Sequence, residues 1–265
     1  MTPTPSLDIS TTIFALVGGF VPALIWLWFW LHEDNKKPEP AGMVARVFVA
    51  GGLAVVFAFI IQKLLSSVLT KTGFGTLDYS SPELSVAFFF SSFGFLLAWA
   101  ATEEIIKFGA TYLSAYRNRN FDEPIDAMIY AVTAAIGFAA VENTLFLLST
   151  ILSGETSTFF ILTGNLRFLG ATVVHIVSSA IVGGLVGIAF CSPKLTKTFA
   201  TICGLFTASI LHGLFNFLII TSSGRDMIWI FVALWLVAIF VLYFFERVKT
   251  IFCKVPTSAV NSINK

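Results

Sequence analysis

Charge is scarce in this chain. Only 12% of its 265 residues are Asp, Glu, Lys or Arg, against about 25% in a soluble domain, which excludes an ordinary soluble class. The net charge of +1 and the absence of any basic tract exclude a nucleic-acid partner. Three cysteines, Cys191, Cys203 and Cys253, are too few and too scattered for a disulfide framework. Gly-x-Ser-x-Gly, HExxH and CxxC are all missing, so no nucleophile elbow, zincin helix or dithiol motif is available. The leader Met1–Ser10 has no Lys or Arg. The first apolar run, Thr11–Leu31, outlasts a signal-peptide core and lacks a small-x-small cleavage site. It reads as a retained helix.

What is abundant is apolar sequence: 57% hydrophobic residues with 29 Phe and 6 Trp, and a mean hydropathy of +0.88. Seven apolar runs follow one another, at Thr11–Leu31, Val44–Leu69, Leu84–Leu113, Ile125–Leu152, Leu166–Phe190, Thr198–Ile220 and Met227–Phe245. Each reaches the roughly 20 helical residues needed to cross a bilayer core. The expected fold is all-α, a polytopic transmembrane bundle of seven spans. An eighth is expected if a further element lies within Leu84–Leu113 or near Phe159–Leu162. No soluble domain is visible, so residues 1–265 read as a single integral membrane domain, with residues 84–220 as the core spans carrying the site.

The basic residues orient it. Lys36, Lys37, Arg46, Arg117, Arg119, Lys194, Lys197, Arg247, Lys249, Lys254 and Lys265 fall on one side of a seven-span chain, and Lys63, Lys71 and Arg225 on the other. The positive-inside bias then predicts the N-terminus outside, the C-terminus cytoplasmic and the cysteines near the reducing face.

Against this apolar background the ionisable residues are conspicuous. Trp99–Phe108 reads WAATEEIIKF. On a helix Lys107 lies one turn from both Glu103 and Glu104 and can pair with either. An ionisable group within a bilayer costs roughly 2.5–3.5 kcal/mol on insertion scales, so the unpaired acid demands a metal, a histidine or a proton. The later spans supply partners: Glu142 and Asn143, then Arg167 and His175, then His212 and Asn216 at i,i+4 spacing. Glu142, His175 and His212 each lie about 12–15 Å from the outer end of their spans at the helical rise, and Glu103 reaches the same depth. His175 shares a stripe with Ser179, Gly183 and Gly187, a small-xxx-small seam. One buried polar site is expected.

Such a site suits hydrolysis. Two imidazoles and a carboxylate (Glu142, His175 and His212) make an open zinc set, with Glu103 or Glu104 as general base and Asn216 as oxyanion donor. A metal-free version, in which glutamate and His175 activate water and His212 and Asn216 stabilise the oxyanion, is equally physical. Lys107 would hold the acid pair. Asn143 serves equally well as interhelical glue, and Arg167 is either a snorkelling anchor or a contact for a substrate carboxylate. The rival from another class is an ion- or proton-coupled transporter using the same acids. It calls for repeat symmetry or broken helix pairs, and neither is present.

The ordered set Glu103-Glu104-x-x-Lys107, Glu123-Pro124-x-Asp126, Gly137-Phe138-x-x-x-Glu142-Asn143, Arg167 with His175, and His212-x-x-x-Asn216 resembles the PrsW family. Those are polytopic intramembrane proteases of bacteria and archaea related to CAAX-processing membrane proteases. The likeness runs from about Trp99 to Asn216. It implies proteolysis in a prokaryotic plasma membrane, with Glu103 and Glu104 as paired acids and His175 and His212 as essential partners. The implied substrate is a membrane protein or peptide, an anti-sigma factor in the best-known case. Glu142 stands where the CAAX-processing relatives place a histidine, and Lys107 replaces their arginine one residue early.

Overall fold

The computed structural model describes residues 9–32, 37–71, 86–154, 165–222, 226–251 and 253, without the side chains of 70 and 86–90. Long apolar runs without interior polar breaks become long helices, because in hydrocarbon every backbone amide must be satisfied within its own segment. They are α1 (Ile9–His32), α2 (Ala41–Lys71), α3 (Val86–Thr111), α4 (Asp126–Leu152), α5 (Thr172–Ile188), α6 (Lys194–Thr221) and α7 (Asp226–Val248). No strand occurs among the described residues. Six of the helices, all but α3, are long and apolar enough to cross a membrane. The 26-residue α3 carries the ionisable trio. The element expected near Phe159–Leu162 lies outside the described residues, as do Lys36, Arg225, Lys254 and Lys265.

Two one-turn π-helices interrupt the regular pattern. Tyr112–Tyr116 extends α3 without a break, so Leu84–Leu113 is not a half-span joined to a full one within the described residues. Arg167–Ala171 leads directly into α5. Such insertions re-aim side chains within a helix and recur at functional sites.

The centre of the bundle is α4 with α5. From Ile125 to Ala140 every residue of the α4 segment is buried, while α1 and α7 turn most of their surface outward. Close approach depends on small residues. A Cβ on Gly137 of α4 would strike the Phe48 carbonyl of α2, and one on Gly51 of α2 would strike the Ala134 carbonyl of α4. Gly183 of α5 lies equally tight against the Ala127 carbonyl, and a Cβ on Gly213 of α6 would stand 3.0 Å from Leu97 Cα of α3. The stripe through His175, Ser179, Gly183 and Gly187 is therefore a packing seam, as its spacing predicts.

At one end of the bundle the connections meet. Tyr116 donates to the Ala127 carbonyl at 2.6 Å and stacks on Phe121 at 4.5 Å, which packs edge-on to Phe190. Lys37 pairs with Glu123, Tyr130 donates to Glu39, and Asp126 accepts the backbone amides of Asp122 and Glu123. Cys191 and Cys253 are disulfide-bonded here with Cα atoms 5.5 Å apart, and Cys203 is free. This corrects the expectation of three reduced thiols: the α5–α6 turn and the segment after α7 converge, which no spacing in the sequence indicates.

Candidate active site

The motif Trp99–Phe108 contains neither proline nor glycine and lies wholly within α3. Helical spacing allows Lys107 to pair with either acid. The structure gives it Glu104, whose Oε1 accepts Lys107 Nζ at 2.6 Å. The same oxygen accepts Ser178 Oγ of α5 at 2.9 Å and His212 Nδ1 of α6 at 2.8 Å. One carboxylate thus ties three helices together, and its Oε2 is buried without a partner.

With Glu104 as the acceptor, the His212 ring donates from Nδ1, which leaves the Nε2 lone pair free. That nitrogen lies 3.7 Å from Glu103 Oε2, a second buried carboxylate oxygen with no hydrogen bond. Glu103 Oε1 is held from α2, where Gln62 Nε2 donates at 2.7 Å.

His175 stands between two charged groups. Lys107 Nζ lies 3.2 Å from its Nδ1, and because an ammonium only donates, Nδ1 accepts. Nε2 then donates to Glu142 Oε2 at 3.0 Å. The two imidazoles meet edge to face, with centroids 4.8 Å apart at 85°. Phe138 packs beside His175 at 5.4 Å and under the Lys107 ammonium at 5.5 Å.

The π-turn before α5 brings Arg167 back over α4. Its Nη2 donates to Glu142 Oε2 and its Nε to Asn143 Oδ1, both at 2.6 Å. Asn143 Nδ2 donates to Thr172 Oγ1 at 2.9 Å, and the Thr172 hydroxyl donates to the Arg167 carbonyl at 3.1 Å. Arg167 also lies over the Phe146 ring at 3.8 Å. It is engaged with the site rather than snorkelling. Glu142 and Arg167 are its more open side, with side chains 18% and 15% exposed, whereas those of Glu104 and Lys107 are 0% and 2%.

The sequence-derived residues Glu103, Glu104, Lys107, Glu142, Asn143, Arg167, His175 and His212 therefore share one polar network. Asn216, half-buried, follows His212 by one turn on α6. Sequence reasoning missed Gln62 and Ser178. Gln62 interrupts the uniformly apolar run Ala50–Ile61, and Ser178 lies three residues after His175; those were the available signals.

The donors fit a metal ion. Ligand atoms of Glu103, His175 and His212 lie within 4.8 Å of one another, all buried. Glu142, the carboxylate expected in this set, is instead engaged by Arg167 and His175. The network holds three carboxylates against the cations Lys107 and Arg167, leaving a formal negative charge uncompensated in a place where charge is costly. Two orphaned carboxylate oxygens face that deficit. One carboxylate with two imidazoles is the open ligand set of a catalytic zinc. Glu104 on His212 Nδ1 supplies the outer partner that fixes a ligating tautomer.

Known proteins resemble the chain over most of its length. The description "PrsW family intramembrane metalloprotease" matches residues 39–244. The chain is 27% identical over 227 residues to a protein named Protease PrsW from Oceanobacillus iheyensis, covering 85% of this chain and 93% of that one. It is 28% identical over 214 residues to Protease PrsW of Bacillus subtilis, covering 80% and 86%. With the Geobacillus kaustophilus protein of the same name it shares 27% identity over 230 residues, or 86% and 90% of the two chains. No solved structure matches it significantly. With its apolar helices and its buried carboxylate–histidine cluster, the chain is a multi-pass membrane peptidase and belongs to the PrsW family of intramembrane metalloproteases.

Proposed function

We propose that this protease hydrolyses peptide bonds of membrane-associated protein substrates at the network between α3, α4, α5 and α6. Glu103, His175 and His212 would hold a divalent metal, zinc by the chemistry of the set. The single observation that carries this is the cluster of one carboxylate and two imidazoles whose ligand atoms lie within 4.8 Å of one another. A zinc ion bound there would supply Lewis-acid polarisation of water and of the scissile carbonyl.

The protein groups do the rest. Glu104 Oε2, buried and unpartnered, accepts the proton of the attacking water, while Lys107, Ser178 and His212 hold its other oxygen. Asn216, one turn beyond His212, donates to the developing oxyanion. Glu142, bridging Arg167 and His175, keeps the His175 ring oriented.

The gathering of Lys37, Arg117, Arg119, Lys194, Lys197, Arg247 and Lys249 at the connecting end supports seven spans with the N-terminus outside and the C-terminus cytoplasmic in a prokaryotic plasma membrane. An anti-sigma factor is the substrate class that the family resemblance offers. The transporter reading of the same acids has no support from the relatives, which are named as proteases.

A second version is favoured by one observation: both His175 nitrogens already have partners. In that version Glu103 and His175 activate water without a metal. Metal content of the purified protein, wild type beside His175→Ala and His212→Ala, decides between them. About one zinc per chain, lost in both variants, is the expected result. A folded, cleaving wild type without metal overturns zinc ligation and leaves the glutamate–histidine version.

A further inference from the structure

The site residues implied by motif and resemblance all lie on α3–α6 and the turn into α5, yet one buried polar contact reaches them from α2. Between Ala50 and Ile61 that helix is uniformly apolar, and its inward stripe runs through Val47, Gly51, Ala54 and Ala58 to Gln62. Gln62 is 4% exposed. Its amide nitrogen donates to Glu103 Oε1 at 2.7 Å and reaches the Trp99 carbonyl, one turn earlier on α3, at 3.4 Å. The reciprocal glycine contact between α2 and α4 sets how far α2 can approach, and therefore where this amide sits.

A hydrogen bond to one oxygen fixes the plane of a carboxylate, and with it the direction in which the other oxygen points. Gln62 occupies Oε1, and the unpartnered oxygen of Glu103 is Oε2, the one 3.7 Å from His212 Nε2. We infer that Gln62 is a positioning residue of the protease: from α2 it fixes the terminal torsion of Glu103, so that the carboxylate is held edge-on to the histidine pair. The inference rests on the functional reading above. It gives α2, which bears none of the family motifs within its apolar run, a part in the reaction, because rotation of Glu103 about its terminal torsion would remove the carboxylate from the metal-binding group.

The alternative is a purely structural α2–α3 hydrogen bond, of the kind polar side chains make between membrane helices. Kinetics and metal retention separate the two. Full-length protein in detergent is compared as wild type, Gln62→Met, which keeps length but lacks the donor, and Gln62→Asn, which keeps the amide one methylene short. Folding is checked by melting, and kcat and KM are measured on a membrane-peptide reporter. Metal retention is measured by titration with a chelator.

Loss of the Gln62 hydrogen bond to Glu103 is expected to lower kcat and metal affinity by about 10–100-fold in both variants, with KM little changed. In a Glu103→Met background, which has no acceptor for the amide, Gln62→Met should change metal retention no further. Wild-type kcat and metal retention in a folded Gln62→Met or Gln62→Asn protein overturns the inference, as does an additive loss in the Glu103→Met background. A wild type that neither cleaves nor holds metal overturns the functional reading itself. A wild type that does either, beside unaltered Gln62 variants, overturns this inference alone.

Discussion

Replacing Lys107 by methionine removes the cation that joins Glu104 to His175 while keeping an unbranched side chain of similar length. Lys107 is 1% exposed and lies 2.6 Å from Glu104 Oε1 and 3.2 Å from His175 Nδ1. In the variant Glu104 keeps Ser178 and His212 as donors but loses the ammonium beside its Oε1. Removing one partner of a buried ion pair costs about 3–5 kcal/mol. At about 2–4 °C per kcal/mol for a protein of this size, the detergent melting temperature should fall by about 6–20 °C. Cleavage should be lost as well, because Glu104 loses the ammonium that holds its Oε1 in place. The decisive comparison is Lys107→Met with Glu104→Gln: neutralising the acid removes the stranded charge, so the double variant should regain most of the melting temperature while remaining inactive. If Lys107→Met melts within about 2–3 °C of wild type, or if Glu104→Gln restores nothing, the buried ion pair does not organise this site.

Gly137→Ala should destabilise the α2–α4 contact by about 1–3 kcal/mol, since its Cβ would strike the Phe48 carbonyl; an unchanged detergent melt would refute the close approach. The bond between Cys191 and Cys253 predicts that non-reduced protein exposes one alkylatable cysteine, Cys203, and reduced protein three. Three alkylated cysteines by mass spectrometry without reductant would refute that bond. Breaking it by Cys253→Ser should lower stability by about 2–4 kcal/mol under oxidising conditions.

Much of this protein is dictated locally. Apolar runs of span length must be helices in hydrocarbon, because no water there can satisfy the backbone, so the runs at Thr11–Leu31 and Met227–Phe245 match α1 and α7 to within a few residues. Ionisable groups in such runs must find one another, and helical spacing gives their faces. For that reason depth and spacing alone assign Glu103, Glu104, Lys107, Glu142, His175 and His212 to one cluster. The small-residue seam at Gly183 and Gly187 is legible for the same reason.

What spacing could not supply is the choice among partners of similar reach, which depends on the distance and rotation between helices. Only packing decided that Lys107 takes Glu104, that Glu103 stands with the two histidines while Glu142 is drawn to Arg167, and that Cys191 meets Cys253. Packing also brought in Gln62: the close α2–α4 crossing at Gly51 and Gly137 sets α2 where its amide reaches Glu103 on α3. The sequence by itself determined that a buried acid–histidine site would form among apolar helices, because stranded charge is too costly there. The tertiary structure alone decided which atom faces which, because hydrogen bonds are set by a few tenths of an ångström across helices that the chain joins only at their ends.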